Sequence, residues 1–70
     1  MLNSNSLMVR MIEKAQIDRY IETKIGIELD NKTYYKGILK EVSDTSIVLE
    51  FLNGKKIIVS LKDVHFVKVL

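Results

Sequence analysis

The sequence has no cysteine, no proline and no tryptophan, a single histidine, and only three glycines among 70 residues. No disulfide can staple the fold. One histidine without a thiol leaves too few ligands for a structural zinc site, which takes about four side chains of that kind. A chain this short buries only about 60% of its unfolded surface when it folds alone, so the route left for supplementing its core is association. Long apolar runs are missing too. Nothing approaches the roughly 20 residues of a membrane-crossing helix, and the amino-terminal segment carries its charges inside and after its apolar stretch, the wrong order for a secretory leader. The expectation is a soluble, intracellular, cytoplasmic protein without a membrane role. Charge of one sign is scarce as well: eleven Lys and Arg stand against nine Asp and Glu, a net +2, so any attraction for phosphate must come from local clustering and not from the overall field.

What is present is 47% apolar residues in two regimes that change near Gly26. Before it, Leu7, Met8, Met11, Ile12 and Ala15 fall at spacings of three and four, the stripe of a short amphipathic helix over residues 7–16, with Asn3 to Ser6 as candidate cap residues. That helix is expected to cap an open end of the domain, while Ile17, Tyr20 and Ile21 project from its opposite side. After Gly26 the residues become β-branched and alternating. The pattern predicts five strands, Lys24 to Leu29, Thr33 to Val42, Ser46 to Leu52, Lys55 to Leu61 and Val64 to Val69. The turns between them fall at Asp30-Asn31, Ser43 to Thr45, Asn53-Gly54 and Lys62-Asp63. Asn53-Gly54 is the strongest local signal, a pair suited to a two-residue type I′ hairpin with positive φ at both positions. Gly37 within the longest strand marks a bulge or sharp bend.

The chain therefore reads as one mainly β domain over 1–70: an N-terminal short α-helix, then a five-stranded, strongly bent antiparallel sheet or small open barrel over 24–69. The last two strands are apolar on both faces, and strands of that kind are covered on both sides. With one helix available as cover, Ile57, Ile58, Val59, Val64, Phe66 and Val67 are candidate subunit-interface residues.

The order helix then five strands, with the cadence YKGILKEVSD followed by IIVSLKDVHFV, resembles the Sm and Sm-like (LSm, Hfq-related) family over nearly the whole chain. Ile27, Leu29, Gly37, Leu39 and Asp44 follow the order of the family's first motif, and Val59, Val64 and Val67 match apolar positions of its second. The chain departs from the family where the family reads bases: Ile47 or Val48 stands at the Asn position, Ser43 at the motif Asp, and Ser60-Leu61 replaces Arg-Gly. The resemblance implies an SH3-like small barrel whose fourth strand pairs with the fifth strand of a neighbour, closing a homo-oligomeric ring of about six or seven subunits.

No nucleophile with a base, carboxylate pair or metal-ligand cluster can be read from the sequence, so neither catalytic nor metal residues are named, and no cofactor or small-molecule substrate is expected. His65, between Val64 and Phe66, reads as a structural or interface histidine, with RNA contact as the alternative. The resemblance implies a non-enzymatic ring that binds single-stranded RNA as a scaffold or chaperone in RNA metabolism. The loops expected to carry it contain Ser43, Asp44, Thr45 and Ser46 on one side and Ser60, Lys62 and Asp63 on the other. Tyr34 and Tyr35 are candidate base platforms, of which the strand alternation allows only one to face a given surface. The alternative is an oligomeric scaffold of the same fold that has lost RNA binding and engages proteins through Ile17, Tyr20 and Ile21.

Overall fold

Every segment in which β-branched side chains alternate becomes a strand, within one or two residues of the expected boundaries. The computed structural model describes residues 10–70. Its strands are β1 Arg10–Ile12, β2 Lys24–Leu29, β3 Tyr34–Val42, β4 Ser46–Glu50, β5 Lys56–Ser60 and β6 Val64–Val69, all in one antiparallel sheet of order β1-β6-β2-β3-β4-β5. A 3₁₀ helix, Lys14–Tyr20, follows β1, and one 3₁₀ turn, Leu61–Asp63, links β5 to β6. No helix among the described residues is long and apolar enough to cross a membrane.

Period-two alternation places Ile25 and Ile27 of β2, Leu39 of β3, Ile47 and Leu49 of β4 and Val67 of β6 inside, all fully buried. Ile12 from one edge strand and Val59 from the other join the same cluster, so the sheet curls around a single core. Its edges, β1 and β5, do not pair with each other, and the sheet stays open.

The amino-terminal segment differs from the expected helix. Of the helix expected over 7–16, residues 7–9 lie outside the described residues, Arg10–Ile12 is a strand, and helical structure begins only at Lys14. The physical reason is the free edge of β6: Arg10 lies opposite Val69 and Ile12 opposite Val67, and that ready ladder outcompetes an isolated helix of two or three turns, which is marginal on its own. Ile17 is also not a surface residue. It is 1% exposed and plugs the core from the 3₁₀ helix, a burial worth about 2 kcal/mol. Tyr20 packs half-buried against the same cluster, leaving Ile21 as the exposed member of that trio.

The hairpin at Asn53-Gly54 also differs from the type I′ form. Among the described residues positive φ occurs at Glu22, Lys32 and Gly54, not at Asn53. The Gly54 amide donates to the Phe51 carbonyl (2.9 Å), the Phe51 amide to the Lys55 carbonyl (2.8 Å), and the Lys55 amide to Asn53 Oδ1 (2.9 Å). This is a three-residue loop, a type I turn closed by one left-handed residue. The β2–β3 connection repeats it: the Lys32 amide donates to the Leu29 carbonyl (2.9 Å), the Leu29 amide to the Thr33 carbonyl (2.8 Å), and the Thr33 amide to Asn31 Oδ1 (2.9 Å). Gly37 sits where the strands crowd, since a Cβ there would lie 2.8 Å from the Glu50 carbonyl oxygen. The register slip itself falls between Leu39 and Glu41, leaving Lys40 as the bulged residue.

Candidate nucleic-acid interface

On β2 the side chains between the buried isoleucines point outward, and the registers of β3 and β6 fix their neighbours. Gly26 lies between Lys36 of β3 and Lys68 of β6, and Glu28 lies between Tyr34 and Phe66. Lys24 is opposite Ile38. The outer face of these three strands thus carries Lys36 and Lys68 one row from Tyr34, Lys24 a row further on, and the carboxylate of Glu28 opposite the tyrosine.

Gly26 lets the tyrosine lie down. A Cβ at that position would collide with the Tyr34 phenolic oxygen and sit 2.9 Å from its Cζ, so the ring occupies the space that a side chain would fill. Lys68 Nζ stands 5.2 Å from the ring centroid, within the range of a cation–π contact. Tyr34 keeps 39% of its surface exposed. Among the described residues no ion pair engages Lys24, Lys36 or Lys68, whereas Glu50, at the border of the face, approaches Lys40 at 3.7 Å. A groove of about 500 Å³ continues from Lys24 and Lys36 past Ile38 to Phe51 and Leu52. Leu52, at the hairpin tip, is fully exposed.

Lys40 belongs to a separate cluster. Its Nζ lies 2.9 Å from Glu22 Oε1 and 2.9 Å from Glu22 Oε2. The hydrogen bond to Glu22 is the largest influence; together with the charges of Glu22 and Glu50 it outweighs the opposing loss of hydration and raises the pKa above the ordinary lysine value of 10.5.

The loops singled out in the sequence do meet at one end of the sheet. The Leu61 amide donates to the Thr45 carbonyl (2.8 Å) and Ser46 lies opposite Ser60. Their polar groups are spent on the turn itself: Ser43 Oγ accepts from the Thr45 amide (3.3 Å) and the Ser46 amide (3.1 Å) and lies 3.2 Å from Ser46 Oγ. A cavity of about 340 Å³ beside them is lined by Lys14, Asp18, Ser43 and Asp44 among others, and Lys14 Nζ donates to the Leu61 carbonyl (2.9 Å). Lys62 and Asp63 are both exposed there, and the Asp63 carbonyl accepts from the Asp30 amide (2.9 Å). The cavity sets Asp18 and Asp44 against Lys14, a charge ratio less suited to a polyanion than the three lysines against Glu28 and Glu50 on the outer face.

Of the candidate interface residues, Val59, Val64 and Val67 lie in the core, Ile57 and Phe66 are half-buried, and Ile58 is 75% exposed. The edge of β6 is occupied by β1 and that of β5 is open. His65 is exposed, its Nδ1 3.8 Å from Asp30 Oδ1. The lysine–tyrosine face was only half visible in sequence: Lys24, Gly26, Tyr34 and Lys36 share a strand parity, but Lys68 joins them only through the β2–β6 register. Compared with known proteins, the chain matches no family model, no curated protein and no solved structure.

Proposed function

We propose that this protein is a small Sm-like barrel that binds single-stranded RNA without catalysing a reaction, and that it does so on the outer face of β2, β3 and β6. The observation that carries the reading is the Tyr34 ring laid across Gly26 beneath Lys68, with Lys24 and Lys36 unpaired alongside. A partly exposed aromatic ring beside cations is what sequence-tolerant single-strand binders use: a base stacks on the ring, displacing the Lys68 ammonium toward the phosphates that the other lysines track. The apolar groove at Ile38, Phe51 and Leu52 offers a second place for a base. Meandering strands that return to the first long strand support the barrel, and the aspartates beside Lys14 at the Ser43–Ser46 end favour the sheet over those loops as the RNA site. A ring built by pairing β5 with the neighbour's β6 would require β1 to leave its place.

Fluorescence anisotropy of labelled U-rich and A-rich oligonucleotides tests this. A stacked base is worth about 1–3 kcal/mol, so Tyr34→Ala lowers affinity about 5- to 150-fold. Wild-type protein that leaves both oligonucleotides free at low salt, or a Tyr34→Ala variant that binds as wild type does, contradicts the proposal.

A further inference from the structure

The backbone geometry of β5 defines a second surface, independent of the RNA reading. At the two ends of the β4–β5 ladder the Phe51 amide donates to the Lys55 carbonyl and the Leu61 amide to the Thr45 carbonyl, each at 2.8 Å. The register between them sets Leu49 opposite Ile57 and Ile47 opposite Val59. Hydrogen-bonded positions alternate along an antiparallel ladder. Ile57 and Val59 therefore turn their backbone groups toward β4, and Lys56, Ile58 and Ser60 turn theirs out of the sheet. Of the usual protections against pairing this edge carries only its short length and Lys56; it has no proline, no bulge and no covering segment among the described residues, and at its centre stands Ile58, 75% exposed.

We infer that this edge pairs with β5 of a second copy, antiparallel, about a two-fold axis through Ile58. The chemistry selects that partner and that register. Centred on Ile58, the three outward-facing residues of each strand form the pairs Ile58–Ile58, Lys56–Ser60 and Ser60–Lys56, which exchange about six backbone hydrogen bonds. Every cross-strand contact is then apolar on apolar or a lysine beside a serine, and the outer-face neighbour Val48, opposite Ile58 within each chain, extends the apolar contact on both sides. Moving the axis to Val59 sets Lys56 against Lys62 and leaves fewer outward groups paired; moving it to Ile57 sets Lys56 against Ile58. A contact of this kind is isologous and closes at two copies, unlike a head-to-tail ring.

Sedimentation equilibrium across a concentration series, with amide hydrogen exchange by NMR, tests the inference. The expected species is twice the 8.1 kDa chain. In it the Ile58 amide exchanges slowly at high concentration and rapidly on dilution, while the Ile57 and Val59 amides, bonded to β4, stay slow throughout. Ile58→Lys opposes two ammonium groups on the axis and is expected to yield monomer with an unchanged circular dichroism spectrum, since the side chain is largely exposed. A wild-type monomer at the highest concentration, a closed species of six or seven chains, a dimer that survives Ile58→Lys, or an Ile58 amide insensitive to dilution would each overturn the inference. Should Ile58→Lys unfold, the wild-type mass and exchange pattern decide alone.

Discussion

Two hairpins of one geometry hold different residues at the left-handed position, and the difference can be put in energy. The left-handed position is held by Gly54 (φ 86°) in the β4–β5 loop and by Lys32 (φ 74°) in the β2–β3 loop. A side chain with a Cβ loses about 1–2 kcal/mol in that conformation. Replacing Lys32 by glycine removes the strain but loosens the unfolded chain, which gives back about 0.5–1 kcal/mol. From the middle of both ranges the net gain for Lys32→Gly is about 0.75 kcal/mol, and at about 4–8 °C per kcal/mol for a domain of this size the melting temperature rises by roughly 3–6 °C. Lys32→Ala is the control, because it removes the ammonium and keeps the strain. It should melt near the wild type. The reciprocal change, Gly54→Ala, meets nothing within 4 Å of the new Cβ, so its expected loss of about 1 kcal/mol is conformational alone. Thermal melts followed by circular dichroism, repeated in urea, give all three values. A Lys32→Gly protein no more stable than Lys32→Ala would refute the reasoning.

Three further outcomes follow from the packing. Gly37→Ala brings a Cβ to 2.8 Å from the Glu50 carbonyl oxygen and should destabilise by about 1–3 kcal/mol in urea titrations through forced separation of β3 and β4; a neutral result would show that the two strands yield. Gly26→Ala should evict the Tyr34 ring: NMR is expected to show the Lys68 side-chain protons losing their ring-current shift, and RNA affinity should fall with them. An unshifted Lys68 would deny the ring its place. Lys40→Gln tests the cluster with Glu22 and Glu50. Because the folded pKa is raised above the unfolded 10.5, the contribution is complete below pH 10.5 and disappears as pH climbs through the folded value. Wild type and variant should thus differ by a constant amount in urea midpoint through neutral pH and converge at alkaline pH.

The five long strands were legible because their alternation expresses which face meets the core, and that is a local property. The short edge strand was not. Arg10-Met11-Ile12 fits a helical stripe as well as it fits a strand, and what decides is the unpaired edge of β6 more than fifty residues away. The inward direction of Ile17 is hidden for the same reason: a continuous helix would turn it outward, but the chain breaks at Glu13, where ψ is 139°. Asn53-Gly54 marked a turn correctly, but Asn31-Lys32, with no glycine, adopts the same form, so the loop length follows from the strands that it joins. Of the candidate site, the outward parity of Lys24, Tyr34 and Lys36 was within reach; the lysine that covers the tyrosine came from the register of the final strand.

The most direct test of the RNA-binding face is the dependence of affinity on salt. Each phosphate contact to a single strand contributes about −0.7 to the slope of log K against log salt, so Lys24, Lys36 and Lys68 together predict a slope of about −2. Lys68→Gln should flatten it to about −1.4, while Lys62→Gln, at the opposite loops, should leave it unchanged. A slope flattened by Lys62→Gln and untouched by Lys68→Gln would return the RNA to the loop end and contradict the account.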